Sequence, residues 1–302
     1  MTAPIGTKAI AVRWSRRRLL ELEMFNCAWR WGPVALVSYF ASISAALAQG
    51  LFYTPGHQPA AWNVNQKPAE WDINVAVGAA MTPTFDGSDR YRASPIPLVI
   101  VRWRDMVSLG ADGLTLYWHH NNLRIGGGVS YDGGRLDHET NGILNSGDNR
   151  LRGLGDIDAS VGIRGFVSYQ WGPTYLDISA AKYIGPQNNG ILITLGAAAP
   201  LSLTKRLIVR PHIGMTWADD SYMQTFFGVT TLQSSDSIFP RFIAGAGLKD
   251  INGGFTVVYL LSQHWFLGAD ASATQYLADT AKSPLTISNT NATVGAVIGY
   301  HF

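Results

Sequence analysis

The chain has 302 residues, of which 47% are hydrophobic and only 15% are Asp, Glu, Lys or Arg, below the share of about a quarter in soluble domains. A single cysteine excludes an internal disulfide and a cysteine-rich metal site, and the apolar content excludes a disordered chain. The net charge of +2 arises in residues 1–48, where six basic residues face two acidic ones; the remaining 17 basic and 19 acidic residues predict no surface for nucleic acid.

An apolar stretch near the start of the chain has the features of an export signal. Residues 33–48 read PVALVSYFASISAALA, follow Arg30 and end in Ala46-Leu47-Ala48, a small-x-small pattern that signal peptidase accepts. This stretch is interrupted by serines and is short for a membrane anchor. The pattern therefore predicts a cleaved signal peptide over residues 1–48.

The segment before this stretch leaves the true start of the protein open. Residues 15–20, SRRRLL, resemble a twin-arginine export motif, but Glu21 and Glu23 follow where the apolar part should begin. A start at Met24 would instead give a conventional signal peptide over residues 24–48.

After a spacer at residues 49–70, the sequence alternates with period two, which is typical of β-strands. In 156–171, for example, the odd positions from Ile157 to Trp171 are mostly apolar or aromatic, and the even positions are mostly polar or small. About twelve such segments are predicted, near 71–81, 96–103, 106–118, 122–132, 156–171, 173–184, 190–203, 205–217, 240–250, 253–262, 264–276 and 290–302. Most are long enough to cross a bilayer when tilted, which takes about 9–11 residues.

Three features favour a membrane barrel over a soluble sandwich for residues 71–302. The non-apolar face of the strands is rich in Gly, Ser and Thr, which suits a crowded interior, and the chain carries few charges to keep apolar faces soluble. Aromatic residues occur at strand ends, as in an interfacial girdle: Trp71, Trp103, Trp118, Trp171, Trp217 and Trp265. We therefore predict an all-β fold, a transmembrane antiparallel up-and-down β-barrel of about twelve strands.

The last predicted strand points to a particular membrane. Tyr300 and Phe302 end a run of alternating apolar residues, which resembles the signal read by the outer-membrane assembly machinery of Gram-negative bacteria. This pattern predicts the outer membrane as the location, with outer-membrane lipid and lipopolysaccharide around the barrel.

Several strings between residues 70 and 302 occur in the same order as in a known family. They include FDGSDRY with PIP, YDGGR, LRGLGDI, DSY with FFGV, HW and DTAKSPL. Together they resemble the MipA/OmpV family of outer-membrane proteins. The family-motif residues are Asp86, Gly87, Ser88, Asp89, Tyr91, Pro95, Pro97, Gly153, Leu154, Gly155, Asp156, Tyr222, Ser283 and Pro284. One departure is Ala278-Asp279-Thr280, where the family pattern has Gly before the Asp and Ala after it.

The resemblance implies an outer-membrane barrel and suggests a partner. One family member is regarded as a scaffold that links a lytic murein transglycosylase to a bifunctional penicillin-binding protein. The resulting hypothesis is a non-enzymatic scaffold for periplasmic murein-remodelling enzymes. The alternative is a narrow channel for small solutes or ions.

Charged residues on the non-apolar faces bear on this alternative. They are Arg124, Asp158, Arg164, Asp177, Arg206, Arg210 and Asp270. Both signs occur, so these side chains could pair across the lumen and help to close it, or line a conducting pore and set its ion preference.

No catalytic, cofactor or metal site is predicted. His119 and His120 are adjacent, so on a strand they point to opposite faces, and the segment 86–89 is typical of a turn. The segments 133–155 and 218–239 are long enough for a role beyond a turn. Counting strands with both termini in the periplasm places both on the periplasmic side, opposite to the usual arrangement. Either a strand boundary is wrong, or these segments face the periplasm for a reason such as scaffolding.

Overall fold

The computed structural model describes residues 70–104, 106–110, 113–140 and 147–302. The predicted signal peptide, the alternative start at Met24 and the spacer up to residue 69 lie outside the described residues.

The described chain forms one antiparallel sheet of thirteen β segments that closes on itself. The segments are β1 (Trp71–Pro83), β2 (Tyr91–Trp103), β3 (Val107–Gly110), β4 (Gly113–His120), β5 (Leu123–Asp132), β6 (Ser160–Trp171), β7 (Thr174–Ile184), β8 (Ile191–Ala198), β9 (Leu201–Ser202), β10 (Leu207–Ala218), β11 (Gly247–Leu260), β12 (Trp265–Tyr276) and β13 (Thr290–His301). The ring closes because β1 pairs with both β2 and β13, and β10 pairs with β11.

The ring has twelve strands because β8 and β9 form a single interrupted one. Both pair with β10, and Pro200, which has no N–H to donate, lies between them. The predicted fold, a closed antiparallel barrel of about twelve strands, is confirmed.

Two predicted strand boundaries are wrong, and the errors cancel in the strand count. The predicted strand 106–118 is a hairpin of β3 and β4, and it turns back before Gly113, which has a positive φ of 103°. The predicted strands 240–250 and 253–262 are one strand, β11, preceded by a loop. Gly253 and Gly254 pair with β10 and β12 instead of forming a turn, and a Cβ on Gly254 would lie 2.3 Å from the Ala271 carbonyl oxygen.

The predicted assignment of faces agrees with the burial of the strands. Along β6 the inward residues Arg164, Phe166 and Ser168 are buried, whereas the outward residues Val161 and Ile163 are 50% and 64% exposed. Within the described residues, no helix has the length and apolar character that crossing a membrane requires.

The two rims of the barrel differ in the length of their connections. The rim that carries the start of β1 and the end of β13, here called the terminal rim, has only short turns, for example 121–122 and 172–173. The opposite or distal rim carries 84–90, 133–159, 185–190, 219–246 and 277–289.

The two long segments singled out from the sequence, 133–155 and 218–239, therefore lie opposite the described ends of the chain. The strand count puts them on the same side as those ends, and of its two alternatives the structure shows a wrong strand boundary. The reason is the β3–β4 hairpin, which adds one crossing and reverses the direction of each later strand. The direction is restored at β11, where two predicted strands are one.

Candidate functional site: a loop cap on the distal rim

The distal connections fold together into a loop cap, defined by residues 84–90, 133–159, 219–246 and 277–289. The cap contains a 3-10 helix (Asn149–Leu151) and three short helices, α1 (Asp220–Phe227), α2 (Thr231–Asp236) and α3 (Ala278–Lys282). Helices this short are marginal alone, so capping and packing must stabilise them. Asp219 caps α1 by accepting from the Tyr222 N–H at 2.9 Å, and Thr230 caps α2 in a reciprocal pair with Gln233.

Helix α1 fills the mouth of the barrel. Its inner face carries Tyr222, Met223 and Phe227, which are buried together with Ala181 and Tyr183 of β7. Met223 and Phe227 are 0% and 1% exposed. The distal end of the lumen is therefore occupied by side chains of the cap.

A second apolar cluster joins the four connections of the cap to one another. Its members are Phe85, Leu151, Leu154, Val229, Phe239 and Leu285. Hydrogen bonds reinforce these contacts, since Ser283 Oγ donates to the Phe227 carbonyl at 2.6 Å and Gln233 Nε2 donates to the Leu154 carbonyl at 2.6 Å. The cap is thus a small folded unit with its own apolar core.

Asp148 is the polar centre of the cap. Its side chain is 0% exposed, accepts from Thr84 Oγ1 at 2.7 Å and pairs with the Arg150 guanidinium at 2.9 Å. Burial alone would raise the pKa of Asp148, but the hydrogen bonds from Arg150 and Thr84 outweigh it and lower the pKa to about 2. Arg150 also donates to Ser88 Oγ at 2.7 Å and pairs with Asp89, which links two of the connections.

The structure brings most of the family-motif residues together in this cap. The Gly87 N–H donates to Asn291 Oδ1, and Asp86 pairs with Lys249 at 3.2 Å. Tyr222 belongs to the inner face of α1 that fills the barrel mouth. Gly153 has a φ of 90°, and a Cβ there would lie 1.9 Å from the Asp236 carbonyl oxygen, so the cap requires glycine at this position. Leu154 and the stretch from Ser283 to Leu285 lie in or beside the second cluster.

The remaining family-motif residues lie at the edge of the cap or below it. Gly155 donates its N–H to Asp137, and Asp156 accepts from the Asp137 N–H at 2.8 Å. Tyr91 begins β2 and accepts from the Ala292 N–H at 3.0 Å. Pro95 and Pro97 lie within β2 itself.

One cluster of potential metal ligands was missed by sequence reasoning. Potential ligand atoms of Asp137, His138 and Asp156 lie within 4.8 Å of one another, the only such group found in the described residues. Asp137 Oδ2 also accepts from the Gly153 and Gly155 N–H groups, so existing hydrogen bonds explain the geometry as a clasp within the loop. No linear motif marks this group, because Asp156 is distant in sequence from the other two.

Five of the seven predicted lumen charges lie on strands. Arg164, Asp177 and Asp270 are buried inside, and Arg210 donates to Thr256 Oγ1 at 3.3 Å, which in turn donates to Asp270 at 2.7 Å. Arg124 of β5 lies over the Tyr117 ring at 4.7 Å.

The other two predicted lumen charges do not lie in the lumen. Asp158 is exposed in the connection before β6, where its carboxylate accepts from Gln187 at 3.3 Å. Arg206 is exposed in the turn before β10 on the terminal rim. The period-two alternation extends beyond the starts of β6 and β10, so it could not show that Asp158 and Arg206 lie outside the lumen.

One side of the lumen carries an apolar cluster, which the alternation did not indicate. The inward cluster comprises Ala76, Ala80, Ile96, Leu98, Ile100, Val258, Phe266 and Val297. The only signal in the sequence is the run Ile96–Val101 of β2, which is apolar at every position. These side chains pack together inside the barrel and fill it on the side of β1, β2 and β13.

The six histidines among the described residues do not converge on one site. His119, His120, His264 and His301 lie near the terminal rim, His138 lies in the cap, and His212 lies on β10. His264 stacks on Tyr300 at 5.5 Å and His120 on Trp118 at 5.7 Å, so both belong to the aromatic surroundings of the terminal rim.

Comparison with solved structures finds other barrels. An outer-membrane channel of Pseudomonas putida F1 is 13% identical with a TM-score of 0.43, over 82% of this chain and 100% of that chain. OmpT, an outer-membrane protein of Vibrio cholerae, is 7% identical with a TM-score of 0.38, over 78% of this chain and 99% of that chain. No curated protein matches the sequence. A family model described as MltA-interacting protein MipA matches residues 75–302, so this outer-membrane β-barrel belongs to the MipA family.

Proposed function

We propose that the protein is a non-enzymatic scaffold that holds periplasmic murein-remodelling enzymes, a lytic transglycosylase and a penicillin-binding protein, at the outer membrane. The family description, which names an interaction and not a reaction, is the observation that carries this proposal. The filled lumen supports it, because α1 occupies the distal mouth and the apolar cluster fills one side below it.

The lengths of the connections indicate which rim meets the partner. Outer-membrane barrels have short periplasmic turns and longer outer loops, so the terminal rim faces the periplasm and the cap faces outward. A periplasmic enzyme would then dock on the terminal rim and not on the segment 218–239. Exposed features of this rim include the Arg104–Glu70 pair at 2.7 Å and the cationic turn with Lys205 and Arg206.

A pull-down with matched charge reversals tests both the partner and the rim. The refolded barrel should retain a lytic transglycosylase, and Lys205→Glu with Arg206→Glu should reduce the retained amount about tenfold, since a like-charge contact at an interface costs more than 1.4 kcal/mol. Arg152→Glu, an exposed site in the cap, should change nothing. No retention by the wild-type barrel would refute the scaffold, and loss only with Arg152→Glu would place the partner on the other rim.

The second candidate, a narrow channel, is favoured by one observation. Arg210 Nε and Nη1, His212 Nδ1 and Asp270 Oδ1 are buried in the lumen with no hydrogen-bond partner among the described residues. Buried polar atoms of this kind are normally satisfied by water, which implies that this part of the lumen is hydrated.

Single-channel recording separates the two candidates. The wild-type protein in a planar bilayer should be electrically silent, because α1 and the apolar cluster interrupt any water column through the barrel. Steady conductance that Arg210→Gln shifts in ion selectivity would instead favour the channel.

A further inference from the structure

The barrel wall is not of even height, and its lowest part lies beside β2. β2 pairs with β1 over all thirteen residues, but it pairs with β3 only from Val101 to Trp103. Because β3 has four residues and the hairpin turns back after Gly110, no described strand pairs with residues 91–100 on this side. We call this gap between β2 and the β3–β4 hairpin the notch.

The middle of the β2 edge in the notch lacks hydrogen-bond donors, because no N–H points into the notch between those of Ala93 and Val99. The Arg104 N–H donates to Glu70 on the β1 side, whereas the Trp103 carbonyl accepts from Met106 on the β3 side. Groups alternate along a strand, so the odd residues of β2 direct their backbone groups into the notch. Pro95 and Pro97 have odd numbers and no N–H, so this stretch of the edge presents carbonyl oxygens alone.

This composition excludes another β-strand as the natural occupant. An added strand needs alternating donors and acceptors, and prolines on an edge block such pairing. The occupant must instead supply donors to carbonyl groups that no described strand pairs with, because unsatisfied backbone groups are costly inside a membrane.

The notch is a groove on the membrane side and not an opening into the lumen. Near its top, Arg92 closes the inner side by donating to the Thr84 and Gly147 carbonyls. Lower down, the inward side chains of Ile96 and Leu98 are packed in the apolar cluster. The outward surface beside the groove is apolar, with Val99 and Leu109 each 53% exposed.

A cation lies at the top of this groove. Arg90 directly precedes β2, its side chain is 58% exposed, and its ion pair with Asp148 is long, at 3.8 Å. From the distal end towards the terminal end, the groove therefore offers a positive charge, hydrogen-bond acceptors and an apolar surface.

We propose that the notch binds a phosphorylated glycolipid of the outer leaflet, of the lipopolysaccharide type. Its phosphate pairs with Arg90, its amide and hydroxyl groups donate to the carbonyls of Ala93, Pro95 and Pro97, and an acyl chain lies along Val99 and Leu109. The inference rests on the orientation argued under the proposed function, with the cap facing outward, but it does not depend on the periplasmic partner.

Photo-cross-linking from the groove tests this assignment. A photoreactive residue at Val99 is compared with one at Ile178, an outward residue of β7 that is 46% exposed and has strands on both sides. Each protein is refolded into phosphatidylcholine vesicles containing a small fraction of lipopolysaccharide. Both sites face lipid, so any excess of lipopolysaccharide adducts at Val99 measures specific binding.

We expect about tenfold more lipopolysaccharide adduct at Val99 than at Ile178, the ratio that about 1.4 kcal/mol of preference gives. Arg90→Ala should lower the yield at Val99 and leave that at Ile178 unchanged. Equal yields at the two sites, or adducts at Val99 with phosphatidylcholine in proportion to its abundance, would overturn the proposal. Adducts between two protein chains would show that a second copy fills the notch instead.

Discussion

Phe227→Ala should open the loop cap while leaving the barrel below it intact. The ring is 1% exposed and packs between α1 and the barrel mouth, and removing such a ring costs about 3–5 kcal/mol in lost contacts and a residual cavity. The ring belongs to the cluster that joins α1 to β7, so this loss exceeds what the short helices of the cap can compensate. Amide hydrogen exchange of α1 in micelles should accelerate by more than about a hundredfold.

Leu232→Ala provides the matched control for this variant. Leu232 lies in α2 of the same cap but is 70% exposed, so its truncation should leave the exchange of α1 unchanged. Unfolded and folded barrels migrate differently in gels without heating, which tests whether the strands remain closed. Unchanged exchange in Phe227→Ala would show that contacts other than those of Phe227 with the barrel mouth stabilise the cap.

Asp148→Asn should also destabilise the cap, through charge instead of volume. The buried carboxylate pairs with the Arg150 guanidinium and accepts a hydrogen bond from Thr84. Its neutralisation removes the ion pair with Arg150 inside the cap. Because Arg150 keeps Asp89 as a partner, this neutralisation costs on the order of 2 kcal/mol, the value that the lowered pKa of Asp148 gives. Limited proteolysis should cut the cap of this variant faster than that of the wild type. Asp236→Asn, an exposed carboxylate in α2, should be neutral.

The same carboxylate predicts how the cap responds to acid. The pKa of Asp148 is about 2 in the folded cap and 3.8 ordinarily, so the folded state binds fewer protons between these values. Its contribution, on the order of 2 kcal/mol, is present above about pH 4 and is lost as the pH falls through 2. Pepsin cleavage of the wild-type cap should rise steeply over this range, after correction for the activity of the protease.

Cleavage of Asp148→Asn should change little between pH 4 and 2, because the titrating group is gone. If the wild type and the variant showed the same dependence of cleavage on pH, the transition would belong to other carboxylates. Asp89 and Asp137 are the candidates, because hydrogen bonds also lower their pKa. In that case the variant would still be cleaved faster than the wild type at neutral pH by another protease.

The position of the cap changes where a periplasmic partner can be sought. Most of the motif strings that carry the family resemblance meet in the cap, on the rim opposite the short turns, whereas PIP lies within β2 and HW lies at the terminal rim. In the proposed orientation the motif residues of the cap close the barrel mouth, and the proposed docking surface for an enzyme is the terminal rim. Variants of the motif residues should therefore affect folding of the cap before they affect binding of an enzyme.

Period-two alternation was sufficient to determine the class of fold. Side chains of a strand alternate between two environments, so an apolar face such as Val161 and Ile163 of β6 reveals lipid contact without any knowledge of neighbouring strands. Tryptophans at strand ends and the scarcity of charge depend equally on local sequence. The membrane setting followed from these signals. The number of strands came out right because two boundary errors cancelled, and the family followed from the motif strings.

Tertiary structure decided the features that depend on which segments meet. Asn252-Gly253-Gly254 reads as a turn, yet it remains in β11 because Gly254 passes close to Ala271 of the neighbouring strand. The alternation likewise gives no sign of the β3–β4 hairpin before Gly113. This hairpin and the uninterrupted β11 together determine the rim on which the long loops 133–159 and 219–246 lie. The cap core, the apolar cluster of the lumen and the notch arise from contacts between residues far apart in the chain, which local periodicity cannot indicate.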